Sequence, residues 1–170
     1  MKLCQLNCQG LMRTFSFLEQ MMLAEWKADI VCLCGTWLEP NSTTNRFLGV
    51  SHYLFFRRDR QLGFHGGLLV YENPRLCPNR RFDLEAAGSE EEFVALDLKI
   101  PSLGNCLPFH CYRSPSFSPR TFFSQLSHAL EKASTCTWFI VGDFNACRYA
   151  MGSWYNKHCR HTDGEILARS

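Results

Sequence analysis

The chain has no C-x-x-C pair, which sets aside the commonest structural zinc frameworks. It has no stretch near the roughly 18 consecutive apolar residues of a membrane span. Its N-terminus has no apolar signal-peptide core, because Gln5, Asn7 and Gln9 interrupt the run. Internal repeats, low-complexity tracts and an obvious linker are also missing. A net charge of +2 is too small to mark a nucleic-acid binder by composition. These absences point to an intracellular protein, nuclear or cytoplasmic, with no membrane association and no stable small-molecule cofactor.

What remains is a globular composition. The 170 residues are 46% hydrophobic and 14% aromatic, enough to build a real core and too much for a disordered tail. A single domain over 1–170 is the expectation. Of the ten cysteines, Cys4, Cys8, Cys32, Cys34, Cys111 and Cys136 lie in or beside apolar runs, where a free thiol packs as a small hydrophobe. Cys147, His158, Cys159 and His161 gather near the C-terminus at no common zinc spacing. Any basic surface must be local: Phe55-Phe56-Arg57-Arg58-Asp59-Arg60 with Arg75, Arg80 and Arg81 reads as a solvated loop or a phosphate contact.

Residues 2–9 alternate as a strand, with Cys4, Leu6 and Cys8 on one face and Gln5, Asn7 and Gln9 on the other. Leu11, Phe15, Leu18, Met22 and Trp26 then recur at helical spacing, so a helix falls within 12–27, with Ser16-x-x-Glu19 as a possible capping box. Residues 28–34 are apolar except for Asp29, the mark of a strand covered on both faces. Further strands are expected over 67–71, 93–100, 107–112 and 137–141. Ser118-Pro119 opens a helix with Phe122, Phe123, Leu126 and Leu130 in one apolar stripe. A last helix is expected near Thr162. This order fits a mixed α/β protein whose helices cover sheets.

The run Trp138-Phe139-Ile140-Val141 ends in Gly142-Asp143-Phe144-Asn145, which puts a carboxylate and a carboxamide where an apolar strand stops. Asn7 and Tyr112 stand at two other strand ends. Polar groups at strand ends commonly build ligand sites in α/β folds, because the scaffold fixes them and the loops admit substrate. Each also has a plainer reading: Asn7 as the cap of the following turn, Tyr112 as a half-buried core residue, Gly142-Asp143 as a turn dipeptide.

Asn7-Cys8-Gln9-Gly10, Ala28 to Cys34 followed by Thr36-Trp37-Leu38, Gly66-Gly67-Leu68-Leu69-Val70-Tyr71, Tyr112-Arg113-Ser114-Pro115 and Gly142-Asp143-Phe144-Asn145-Ala146 occur in that order. The series resembles the endonuclease/exonuclease/phosphatase superfamily, and within it the endonuclease domain of non-LTR retrotransposons, from Leu3 to about Leu167. The resemblance implies a four-layer sandwich of two packed mixed β-sheets flanked by helices. It implies that Asn7 helps hold a divalent cation, usually Mg²⁺, that Tyr112 contacts the scissile phosphate, that Asp143 orients or activates the attacking water, and that Asn145 steadies the phosphoryl oxygens. Those residue types suit phosphodiester cleavage, which needs a hard cation with oxygen ligands, a base beside the nucleophile and fixed donors around the phosphate. DNA is the implied partner, with Ser114-Pro115 and Trp154-Tyr155-Asn156 in loops near it.

Two departures qualify the resemblance. The family carries a metal-ligand glutamate where this chain has Gly35, and Glu39 lies past the strand. The family also continues through further strands to a Ser-Asp-His ending that is not found in these residues, so the expectation is a domain incomplete at its C-terminus, with those strands missing. The expected function is that of an endonuclease-like domain of a retrotransposon-derived protein in which the ancestral Mg²⁺-dependent DNA cleavage is weak or lost. The alternatives are a non-catalytic remnant that binds nucleic acid or protein through Arg57, Arg58, Arg60 and exposed aromatics, and an enzyme acting on a phospholipid or small phosphate ester.

Overall fold

The computed structural model describes residues 1–25, 27–40, 50, 52–61, 65–85, 92–133 and 137–145. Trp26, the expected helix near Thr162, Trp154-Tyr155-Asn156, Cys136 and the Cys147/His158/Cys159/His161 group lie outside the described residues.

Two four-stranded sheets stack face to face. The first runs β1 (Leu3–Asn7), β2 (Ile30–Cys34), β4 (Leu68–Glu72), β3 (Leu54–Arg58), and the second runs β5 (Asn79–Arg80), β6 (Glu92–Ile100), β7 (Gly104–Tyr112), β8 (Thr137–Asp143). Each sheet is antiparallel except at one border, where β1 lies parallel to β2 and β8 lies parallel to β7. Parallel neighbours need a crossover, and the crossovers are the two long helices. Helix α1 (Leu11–Leu18), extended by a π-helical stretch Glu19–Glu25, joins β1 to β2; α3 (Pro119–Lys132) joins β7 to β8. A short α2 (Phe82–Glu85) links β5 to β6 along the chain, and its Leu84 joins the apolar cluster beneath α3. The result is the expected four-layer α/β sandwich.

Three apolar clusters correspond to the three interfaces between layers. Leu11, Phe15 and Leu18 of α1 pack on Val31, Leu33, Leu69 and Tyr71. Ile30, Cys32, Cys34, Leu68 and Val70 meet Val94, Leu96, Leu98 and Tyr112 between the sheets. Phe122, Phe123, Leu126 and Leu130 of α3 cover Phe93, Phe109 and Leu107. Because side chains alternate across a strand, β2 and β4 supply both the first and second clusters, which explains their unbroken apolar runs. Helix α3 begins as its sequence predicts: the Ser118 side chain accepts from the Thr121 amide, and Pro119 fills the first helical position.

Two expectations need correction. Residues 54–58 are not a loop but edge strand β3, in which Phe55 packs toward α1 and Phe56 toward the second sheet. The charged run after it hid that alternation. Ser16 and Glu19 do not form a capping box either, because α1 has already begun at Leu11, directly after Gly10. Burial of Leu11 fixes the start, and no side chain caps it. Cys8, Cys32, Cys34, Cys106 and Cys111 are free and buried, as packing thiols should be. Among the described residues no helix is long and apolar enough to cross a membrane.

Candidate active site

The parallel borders of the two sheets bring their strand ends to one rim. Asn7 pairs in register with Cys34 at the end of the first border, and Tyr112 pairs with Asp143 at the end of the second. Strand parity turns Asn7 and Asp143 inward toward each other. The Asn7 carboxamide N–H donates to Asp143 Oδ2 at 2.8 Å, bridging 136 positions of sequence. Asp143 Oδ1 accepts the Asn145 backbone N–H at 3.0 Å. The four residues singled out from the sequence therefore meet at one place: Asn7 and Asp143 touch, Tyr112 is the register partner of Asp143, and Asn145 closes the turn after it.

Each has a local cause. Gly142 lies so close to the Cys111 backbone that any side chain there would collide with the Cys111 carbonyl, so only glycine lets β8 run on to present Asp143. Asn145 adopts a left-handed φ of 44°, which asparagine tolerates, and its side-chain N–H donates to the Arg113 carbonyl at 2.9 Å. Asn7 also uses Oδ1 to accept the Gln9 amide at 3.3 Å, so its plainer role as a turn cap coexists with its contact to Asp143. Tyr112 is buried; desolvation first, then the Glu92 charge, pushes its hydroxyl above the ordinary tyrosine range. The phenol is thus a neutral O–H donor at physiological pH.

Sequence reasoning assigned no role to Arg113, the most heavily bonded side chain of the site. Its guanidinium is buried and donates to the carbonyls of Phe144 (2.5 Å) and Ser114 (2.9 Å) and to those of Phe117 and Asn145. Its backbone N–H donates to the Asp143 carbonyl at 2.9 Å. Arg113 thereby ties the end of β8 to the loop after β7. Burial lowers its pKa, while the Asp143 charge acts in the opposite direction. The only signal for it in the sequence was its place beside Tyr112.

The basic run also resolves differently. Arg57 pairs with Asp59, Arg58 and Arg80 with Glu85, Arg60 with Glu92, Arg75 with Asp29, and Arg81 with Asp83 and Asp97. Four of these carboxylates, Asp29, Asp59, Glu85 and Glu92, are at least nine-tenths buried at the side chain. The cluster is an ion-pair network that pins β3, β5 and β6 together. Arg60 also lies 5.9 Å from the centre of the Tyr112 ring, and Glu92 accepts the Gly67 amide.

A Mg²⁺ ion at Asn7 would need oxygen ligands, typically including one or two carboxylates. Facing a carboxylate, the Asn7 carboxamide must present its N–H, not its oxygen, to Asp143. Gly35, at the position of the family's glutamate, has a left-handed φ of 62°, and a Cβ placed there would stand 2.6 Å from Asn7 Oδ1. Among the described residues no group of three His, Cys, Asp or Glu side chains is arranged to hold a metal ion. This donor set does not fit the cation.

Two mixed four-stranded sheets packed face to face, with the ends of their parallel borders at one rim, recur in the solved structures of several other proteins. The endonuclease domain of TRAS1, a telomere-specific non-LTR retrotransposon, superposes with a TM-score of 0.66 at 15% identity, over 86% of this chain and 61% of that one. The AP endonuclease LMAP from Leishmania major gives 0.64 at 17% identity, over 82% and 54%. The 3' phosphatase NExo from Neisseria, bound to a product DNA hairpin, gives 0.61 at 16%, over 85% and 58%. The chain thus spans between half and two thirds of the length of these relatives. No curated protein matches it. The model of the endonuclease/exonuclease/phosphatase family matches residues 4–164, and the chain belongs to that family.

Proposed function

We propose that this chain is the endonuclease-like domain of a retrotransposon-derived protein, in which the Mg²⁺-dependent DNA cleavage of its ancestors is weak or lost. The likeness to the TRAS1 domain supports the retrotransposon origin, and the DNA hairpin bound to the Neisseria relative supports DNA as partner. An intracellular location, in nucleus or cytoplasm, accords with both.

The single observation that carries the loss is the Asn7–Asp143 hydrogen bond beside Gly35. In this reading Tyr112 donates its phenolic proton to a phosphate oxygen, Asp143 accepts a proton from water, and Asn145 braces the turn that follows Asp143. A phosphodiester brought to this rim meets, among the described residues, an Asp143 carboxylate already hydrogen-bonded by Asn7 and Asn145, with the buried Arg113 guanidinium beside it and no metal ligand set to bridge the two anions. Binding through Arg57, Arg58 and Arg60, the alternative route to nucleic acid, is disfavoured because each already faces a carboxylate.

Incubating supercoiled plasmid with the protein in Mg²⁺ or Mn²⁺ tests the reading, with Asp143→Ala as the blank. Nicking should be at the level of the blank or barely above it. Vigorous nicking that disappears in Asp143→Ala would refute the loss of activity.

A further inference from the structure

The loop after β2 displays an aromatic pair that the site described above does not use. Trp37 is 40% exposed, and its ring centre lies 4.3 Å from that of His65, with the planes tilted by 52°. Both residues have left-handed backbones, φ 56° at Trp37 and 64° at His65. A left-handed bulky residue is a genuine outlier and costs on the order of 1–3 kcal/mol, so the surrounding structure must impose it. The imposing contacts are visible. The Trp37 amide donates to the Gly66 carbonyl at 2.8 Å, the Thr36 amide donates to Gly67, and the indole lies over Gly10 with no room for a Cβ there.

The pair stands at the rim of the candidate site. Trp37 is two residues beyond Gly35, whose missing Cβ would touch Asn7, and two residues span at most about 7 Å. On the other side, His65 is followed by Gly66-Gly67, which contacts the Arg60–Glu92 pair beside Tyr112. A strand whose phosphate lay against Tyr112 and Asp143 would have its neighbouring base within reach of the indole. Those backbone and packing contacts fix the two rings in place while leaving both partly in water.

We propose that Trp37, backed by His65, is a stacking platform for an unpaired nucleobase of DNA bound at this rim. The inference rests on DNA being the partner. Stacking needs an open π-face, which a paired base inside a duplex does not offer, so the occupant is a single-stranded or locally opened segment.

The test measures fluorescence anisotropy of a labelled single-stranded deoxyoligonucleotide at low salt, against an oligonucleotide of the same length whose central positions are abasic. Wild type should bind the intact oligonucleotide about tenfold more tightly than the abasic one, as expected for one stacked base. Trp37→Ala should lose that preference while binding the abasic oligonucleotide like wild type, Trp37→Phe should keep most of it, and His65→Ala should lose part. Equal wild-type affinity for the two oligonucleotides would overturn the platform while leaving DNA as partner, whatever the folding of the variants. Absence of wild-type binding to either would overturn the DNA partner and the platform together.

Discussion

The two sheets have nearly the same plan and different chemistry at their shared rim. In each, an antiparallel set ends in one parallel border closed by a crossover helix. The second border ends in Tyr112 and Asp143, a donor and a carboxylate. The first ends in Asn7, Cys34 and Gly35, a carboxamide, a buried thiol and no side chain. The lesson is that two borders can share a scaffold without sharing the chemistry at its end. The β1–β2 border is held by backbone pairing and by the packing of α1, neither of which requires a glutamate at position 35.

The sharpest break in the comparison is Arg113→Met. The second rim is shaped by this one guanidinium, and its removal leaves four carbonyls without their donor. A loss of about 3 kcal/mol is expected in denaturant unfolding. The same measurement on Gly142→Val should show a loss of about 3 kcal/mol through collision with Cys111, whereas Gly104→Ala, which meets nothing within 4 Å, should cost about 1–2 kcal/mol from its φ of 76° alone.

On the first rim, Gly35→Ala should cost about 1–2 kcal/mol, from the left-handed backbone and the contact with Asn7. Repeating it with Asn7→Gly should recover the steric part, so a double-mutant cycle must show coupling. Strict additivity would mean that residue 35 does not sense Asn7. Gly35→Glu should leave Mn²⁺ affinity, read by electron paramagnetic resonance, unchanged unless Asn7 is also altered.

The smallest expected effect lies between the sheets. Glu72 and His110 are fully buried, 3.4 Å apart, at an ion-pair distance without hydrogen-bond geometry. Burial pushes the Glu72 carboxyl up; His110 draws it back in part and the Asp29 charge adds to the rise. A folded pKa above the unfolded one gives stability that is full below about pH 4.3, the ordinary glutamate value, and is lost as pH rises through the folded value. Glu72→Gln should remove that slope, so the variant gains on wild type as pH is raised. Parallel stability curves across this window would show that Glu72 does not titrate there.

Much of the architecture was legible because its signals are local. Alternation marked β1 and β6, an unbroken apolar run marked β2, the Gly66-Gly67 pair marked the start of β4, and Ser118-Pro119 marked α3. Strand β3 was not legible: the arginines at its end and just beyond looked solvated because Glu85 and Glu92, which neutralise Arg58 and Arg60, lie 27 and 32 positions away. Glu72 and His110 were silent for the same reason. The strand-end residues of the site were visible as polar groups ending apolar runs, but nothing local marked Arg113, whose importance lies in which carbonyls surround it.

The sequence by itself determined most of the strands and both long helices, and that Asn7, Tyr112 and Asp143 each end a strand with Asn145 just beyond, since periodicity and turn chemistry act over a few neighbours. Only the tertiary structure decided that Asn7 spends its amide on Asp143, that Gly35 leaves no room beside it, and that the arginines are already matched. Those outcomes depend on electrostatics and excluded volume between segments far apart in the chain, which no local pattern encodes.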